Sequence, residues 1–413
     1  MRLHKISFFI VILFSLICIS TYYCQEIDII YTNNTYGFLQ PCSCPGAPFG
    51  GLNRRGSILK EIRQDAEISI LLDAGDLFSH VNEEEKNVTV LDIYKKMNYD
   101  GINIGANELN SGVDFLKEKA EKTPFISSNI VSSQDKKNIF NSSLIIEKNN
   151  VKAGVLGIML NDNILTAENI SNLDIEFLDP ADVLEKKIEE FQGKVDFVIV
   201  LSRLPFEKNV KLAESVDGID LIIGGFDFMP IEEAIKIRKT LLVQSGVKGH
   251  YVGKITLSKK PDFRPVNKLY TLDKSLGNDP KIQKMIDEFE NNLAHRQLKR
   301  LQQNSNYMGS IYCKGCHEKE YDQWETTKHA KALESLKKEG KERVLGCLSC
   351  HTLGYGLERE TGVQCEQCHT MLTNHDKVNK GPIGVSRKIC INCHTVEQSP
   401  GFEYIDYLKK VLH

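Results

Sequence analysis

Cys313-Lys-Gly-Cys316-His317, Cys347-Leu-Ser-Cys350-His351, Cys365-Glu-Gln-Cys368-His369 and Cys390-Ile-Asn-Cys393-His394 punctuate the stretch 313–394. Each is C-x-x-C-H, the attachment signature for c-type haem. Its two thiols reach the two vinyl groups of one porphyrin as thioethers, and the adjacent His binds the iron. With 12 Cys and 11 His in 413 residues, chance would supply roughly 0.01 such pentads. Structural zinc is the alternative for paired C-x-x-C units, but zinc does not require a His directly after every second Cys. Residues 306–413 also hold little apolar material for a core of that length, which four covalently attached haem c groups would supply. The reading is a mostly α-helical, haem-packed multihaem cytochrome c domain over 306–413. His317, His351, His369 and His394 are its expected proximal ligands.

The composition, 41% hydrophobic and 26% charged with a net charge of −3, is that of a globular protein. It carries no charge excess that would point to nucleic acid. The length suggests two or three domains. At the N-terminus Arg2 and Lys5 precede an apolar run over 8–19, followed by Ser20 and Thr21. That is the pattern of a secretory signal over 1–24, too short for a firm membrane span. It implies export to the periplasm or an equivalent compartment, in agreement with covalent haem attachment outside the cytoplasm. No A-x-A cleavage site is evident. Cys18 and Cys24 are candidates for lipid modification, although Tyr23 fits a lipobox poorly, and an uncleaved membrane anchor stays open. His4 belongs to this segment.

Between 26 and about 258 strand-like and helix-like segments alternate. Apolar strand candidates fall at 27–31, 68–72, 102–104, 151–158, 197–201 and 221–223, with helical stretches at 52–63, 113–122 and 180–192. Such alternation predicts an α/β layered domain with largely buried sheets.

The loops at the strand ends carry a resemblance. Tyr31-Thr-Asn-Asn34-Thr-Tyr36-Gly37 is similar to the opening T-N-D-x-H-G of the 5′-nucleotidase metallophosphoesterase domain. Gly50-Gly51-Leu52 with Arg54-Arg55 resembles its G-G-L segment, and Asp73-Ala-Gly-Asp76 its D-x-G-D. Gly105-Ala106-Asn107-Glu108 stands at its G-N-H-E. The strands ending at Arg203 and at Gly224-Gly225-Phe226-Asp227-Phe228, and the closing Tyr251–Leu257 segment, complete a match over 26–260. The resemblance implies a four-layer sandwich with a two-metal site. A two-metal site needs several oxygen and imidazole ligands. Here the family's ligand positions hold Asn34, Tyr36, Ala106, Asn107, Arg203, Phe226 and Phe228, and Asp76 is the residual ligand. The expectation is a retained fold with a degenerate site and no phosphoesterase activity.

Cys42-Ser-Cys44 follows the first of these motifs. It reads either as a strained disulfide or leftover thiols, or as a redox or replacement ligand pair. His80 and His250 match no family ligand and read as surface or satisfied core residues. Residues 261–305 read as a linker with an amphipathic helix. Asp279-Pro280 opens that helix, and Ile282, Met285, Ile286, Phe289 and Leu293 form one apolar face with His295 opposite.

In the haem domain a helix is expected over 318–338, with His329 inside the apolar stripe of Tyr321, Ala332, Leu333 and Leu336. This region resembles the tetrahaem cytochrome c-554 family. Trp324-Glu-Thr-Thr-Lys-His329-Ala330-Lys-Ala332 matches its W-x-x-[ST]-x-H-A-x-A. Gly362-Val363-Gln-Cys365-Glu-Gln-Cys368-His369 matches its G-V-x-C-E-x-C-H. The resemblance implies that His329 and His375 are distal iron ligands; His413 is a further candidate and Met371 a weaker one. One iron would then be left five-coordinate.

Three functions follow as expectations. The first is an exported electron carrier exchanging electrons with other redox proteins, with the α/β domain as scaffold or docking module. The second is a redox enzyme acting on a small nitrogen compound at an open haem. The third is a phosphoesterase with a tethered cytochrome, disfavoured by the ligand substitutions.

Overall fold

The computed structural model describes residues 26–41, 49–65, 68–80, 82–161, 173–303, 308–342, 345–352, 362–369, 385–394, 399 and 401–412. For 294–303, 345, 346 and 349 it describes the backbone alone. Cys42, Cys44, Met371, His375, His413, the N-terminal segment with His4, Cys18 and Cys24, and the His295 side chain lie outside this description. The chain divides into two compact units, the first ending at Ile282 and the second beginning at Gln283.

The strands of the first unit are β1 (Glu26–Thr32), β2 (Ser69–Asp73), β3 (Gly101–Asn103), β4 (Phe125–Ile126), β5 (Ile130–Ser132), β6 (Leu144–Lys148), β7 (Val151–Met159), β8 (Ile175–Phe177), β9 (Phe197–Arg203), β10 (Leu221–Gly224), β11 (Ile235–Ile237), β12 (Thr240–Val243), β13 (Tyr251–Ser258) and β14 (Asn267–Thr271). They form two six-stranded sheets, ordered β14-β13-β1-β2-β3-β4 and β11-β12-β10-β9-β7-β6, and a β5-β8 pair. The run from β1 to β4 is parallel, as are the pairs β7 with β9, β9 with β10, and β10 with β12. All six strands expected from sequence are present.

Strand β9 shows why these segments read as continuous apolar runs. Phe197, Ile199 and Leu201 join Ile27, Ile29, Ile70 and Leu72 in the core between the sheets. The alternate residues Val198 and Val200 face the other way, into a second cluster with Leu184, Phe191, Leu212 and Ala213. A period of two with both faces apolar is the signature of a sheet covered on both sides. The helices are α1 (Leu52–Asp65), α2 (Glu84–Met97), α3 (Ala106–Leu109), α4 (Val113–Ala120), α5 (Pro180–Phe191), α6 (Phe206–Ser215) and α7 (Pro280–Gln303). Helix α5 starts at Asp179, whose carboxylate accepts from the N–H groups of Ala181 and Asp182 ahead of Pro180. It lies so close to β7 that a Cβ at Gly154 would stand 2.5 Å from the Phe191 ring.

Residues 261–305, expected as a linker, contribute more than that. Tyr251–Ile255 of β13 pair with β14, so the first sheet gains an edge strand from 267–271. The expected helix forms as α7. The Asp279 carboxylate caps it by accepting from Lys281 and Ile282 N–H and pairs with Lys60, and Ile282 and Ile286 are buried.

The described part of the second unit consists of short helices: α8 (Ser310–Cys313), α9 (Glu318–Glu325), α10 (Ala332–Lys338), α11 (Leu345–His351), α12 (Cys365–Cys368), α13 (Arg387–Ile391) and α14 (Tyr404–Leu408). The helix expected over 318–338 is broken between α9 and α10. Thr326 and Thr327 turn their hydroxyls back onto the Gln323 and Trp324 carbonyls, 2.7 Å each. Such local bonds compete with helical continuation. His329 therefore sits in the turn, not on a helix face.

Candidate functional site

The loops leaving the C-terminal ends of β1, β2, β3, β9 and β10 meet at one end of the first unit. Asn34 (φ 50°), Tyr36 (φ 51°), Gly75 (φ 102°) and Asp76 (φ 56°) all have left-handed backbone. Non-glycine residues adopt that region only where the surroundings impose it. Here backbone bonds do so: Asn34 N–H donates to Gly75 O, and Tyr36 N–H to Asp76 O, each at 2.9 Å.

Beneath these loops lies a buried polar layer. Arg55 of α1, fully enclosed, donates to Tyr94 Oη at 2.7 Å, to Thr35 Oγ1 at 2.9 Å and to Tyr99 Oη at 3.2 Å. Asp73 accepts from Thr32 Oγ1 at 2.5 Å, Gly75 N–H at 2.8 Å and Tyr94 Oη at 3.0 Å. Burial works against the Arg55 charge, but the Tyr94, Tyr99 and Asp73 oxygens outweigh it and keep the guanidinium protonated. The layer ties α1 and α2 to the turn that presents Asp76.

Asp76 is the centre of the upper layer. Its Oδ2 accepts from Arg203 Nε at 2.5 Å, and its Oδ1 from Asn107 N–H at 3.0 Å. Both charged side chains are almost wholly buried. The Arg203 guanidinium carbon lies 5.3 Å from the centre of the Phe226 ring, a cation–π contact. Glu108 accepts from three backbone N–H groups, those of Gly105 (2.8 Å), Asp76 (2.9 Å) and Phe78 (3.0 Å). Burial, then the Asp76 charge, push the Glu108 carboxyl up to about 8 against the pull of those donors. Asn34 is buried with its Oδ1 unbonded and its Nδ2 3.4 Å from Asp227 O. Phe228 is 69% exposed.

His80, expected as a surface or satisfied core residue, is exposed and also reaches this cluster. Its Nδ1 lies 3.1 Å from Asn107 Oδ1, and its ring centre 4.8 Å from that of Tyr36. His250 packs against Phe49 and Tyr251. Among the described residues no three His, Cys, Asp or Glu side chains converge as a metal cage.

In the second unit the C-x-x-C-H motifs share one local geometry. His317, His369 and His394 donate their N–H groups to the carbonyls of Cys313, Cys365 and Cys390 at 2.8 Å, and His351 closes α11. A helical turn puts positions i, i+3 and i+4 on one face, so two thiols and one imidazole are offered together. None of the eight motif cysteines is in a disulfide, and Cys316 is exposed. Attachment points of different motifs are neighbours: Cys313 lies beside Cys365, and Cys393 beside Cys350.

The segments that carry the haem resemblance clasp one another. Trp324 Nε1 donates to Val363 O, and Val363 N–H to His329 O, both at 2.9 Å. A Cβ at Gly362 would stand 2.2 Å from His329 O. Glu366 accepts from Met308 and Gly309 N–H, Gln364 Oε1 from Ser310 N–H, and Ser310 Oγ from Cys365 N–H. These bonds fasten the first motif to the third. The rings of His329 and His394 have centres 6.2 Å apart and planes tilted 46° to one another.

The donor set fits covalently held porphyrin. Among the described residues from Gln283 onward the buried apolar side chains are Ile286, Ala330, Leu333, Leu336 and Leu348. A large apolar prosthetic group would fit beside so small a described core.

Residues 312–370 match the family described as cytochrome c554 and c-prime. The trifunctional nucleotide phosphoesterase YfkN of Bacillus subtilis is 22% identical over 316 residues, 65% of this chain and 21% of that protein. The snake venom 5′-nucleotidase of Naja atra is 24% identical over 304 residues, 64% of this chain and 57% of that protein. The chain thus spans only part of the length of these relatives. In structure, the calcineurin-like phosphoesterase YfkN of B. subtilis aligns over 65% of this chain and 97% of its own, with a TM-score of 0.57 at 19% identity, which establishes the fold. The chain is therefore similar to the 5′-nucleotidase metallophosphoesterases over about 65% of its length, and to the cytochrome c554 family at 312–370.

Proposed function

We propose that this protein is an exported multihaem c-type cytochrome. Its four C-x-x-C-H motifs hold four haem c groups, and its nucleotidase-like unit serves as a scaffold or docking module without hydrolytic activity. Bound haem iron supplies one-electron redox chemistry. The eight motif cysteines form the thioethers. His317, His351, His369 and His394 supply the proximal imidazoles. His351 is held for that task by its Nδ1, 3.0 Å from Ala332 O and 3.2 Å from Ser335 Oγ, which leaves Nε2 to face the metal. His329 and His394, with ring centres 6.2 Å apart, would be the two imidazoles that hold the iron of the haem attached at Cys390 and Cys393. His375 and His413 remain candidates for further distal positions, and other redox proteins are the expected partners.

The observation that carries the scaffold reading is the Arg203–Asp76 pair. A guanidinium holds one oxygen of the residual carboxylate, at a position where a dication would need several open oxygen and imidazole ligands. The similarity to nucleotide phosphoesterases favours a second reading, metal-dependent phosphoester hydrolysis. The two readings separate in one assay of the full-length holoprotein with nucleotides and a bis-phosphate ester in Mn²⁺, Zn²⁺ or Mg²⁺. The scaffold reading expects reducible haem and no turnover. Metal-dependent turnover abolished in Asp76→Ala would overturn it.

A further inference from the structure

His394 differs from a bare helical histidine in being enclosed by the chain that follows it. Its Nδ1 lies 3.2 Å from Ser399 Oγ. Its ring stacks on Phe402 with centres 4.6 Å apart and planes 10° from parallel. Tyr407 meets the same ring edge-on at 5.4 Å and also packs edge-on against Phe402 at 4.9 Å. Tyr404 Oη donates to Val385 O at 2.9 Å, which ties this arm back to the residues just ahead of the fourth motif. The arm lies beyond the segment matched by the cytochrome family, which ends at residue 370.

These contacts act on different properties of one imidazole. A hydroxyl accepting from Nδ1–H selects the tautomer that leaves Nε2 free for metal and raises the electron donation of the ring. Stacking on Phe402 with the Tyr407 edge beside it fixes the plane of the ring about its axis. His351 is held differently, with a backbone carbonyl as well as a hydroxyl beside its Nδ1. We infer that Ser399, Phe402 and Tyr407 are positioning residues for His394, setting the orientation of that ligand and the reduction potential of the haem attached at Cys390 and Cys393. This rests on the haem reading given above.

The test is a spectroelectrochemical titration of full-length holoprotein as wild type, Ser399→Ala, Ser399→Thr and Phe402→Leu. Haem content is counted first. The Cys390→Ala, Cys393→Ala protein identifies the component that belongs to this haem, because that component disappears. Removing the acceptor in Ser399→Ala is expected to raise the midpoint of that component alone, by about tenfold in the oxidised-to-reduced ratio, ~59 mV for one electron. Ser399→Thr restores it. Phe402→Leu is expected to change the low-spin EPR signal of the same haem. Four bound haems with every midpoint and signal unchanged in Ser399→Ala and Phe402→Leu would overturn the inference, as would a common shift of all four. Wild-type protein without covalent haem overturns the haem reading itself, a result distinct from either.

Discussion

Arg203 Nε stands 2.5 Å from Asp76 Oδ2, joining the end of β9 to the turn after β2 across 127 residues of sequence, with both side chains out of contact with solvent. The pair bridges the two sheets at the end of the sandwich where the loops converge. A buried ion pair contributes little net stability against an apolar replacement, but removing one partner strands a charge. Arg203→Leu is therefore expected to destabilise the protein by about 3–5 kcal/mol. The double variant Arg203→Leu with Asp76→Leu should recover most of that loss. Denaturant midpoints of the three proteins decide it; a single variant as stable as wild type would mean that Asp76 has another partner for its charge.

Glu108 gives the fold a pH dependence of known sign. Its folded-state carboxyl is raised to about 8, chiefly by burial and then by Asp76. The protonated form in the folded protein therefore contributes stability that is fully present below the ordinary Glu range. That contribution is lost as pH rises from there through about 8. Unfolding midpoints should fall between pH 5 and pH 8, and Glu108→Gln should flatten the slope, whatever its effect on absolute stability. An identical slope in the variant would assign the dependence to other groups.

His329→Ala is expected to convert one low-spin haem to high-spin and leave the remaining haems unchanged, because covalent attachment does not depend on the distal side. The neighbouring ring is that of His394, so the converted haem should be the one lost in Cys390→Ala with Cys393→Ala. EPR of the ferric protein reads this directly. Unchanged spin states would leave His329 as a packing residue of the turn closed by Val363.

Much of the first unit was legible because β7, β9 and β10 are apolar on both faces, which sequence displays as unbroken runs. Strand β14 was not legible. Its sequence, Asn-Lys-Leu-Tyr-Thr, mixes polar and apolar residues as an exposed edge does, and it lies within the stretch that reads as linker. Helix α2 escaped notice because part of what it buries is polar: Asn87 and the Tyr94 hydroxyl, which serves Arg55 and Asp73. The identities at the positions that hold ligands in the similar family could be read one by one, but not that Arg203 would bond to Asp76 or that His80 would reach Asn107. Those contacts depend on loop conformations, among them the positive φ of Asp76, for which no sequence period exists. The arm around His394 left no signal either, because Ser399, Phe402 and Tyr407 follow neither a helical nor a strand repeat.

The attachment of haem is the claim on which the rest of the second unit depends, and intact mass of the denatured, exported full-length protein measures it most directly. Thioether-bound haem survives denaturation and acid extraction, so the mass should exceed that of the polypeptide by four increments of about 0.6 kDa each. Replacing Cys365 and Cys368 with Ala should remove one increment. A mass equal to the bare polypeptide, from cells competent to attach c-type haem, would contradict the account.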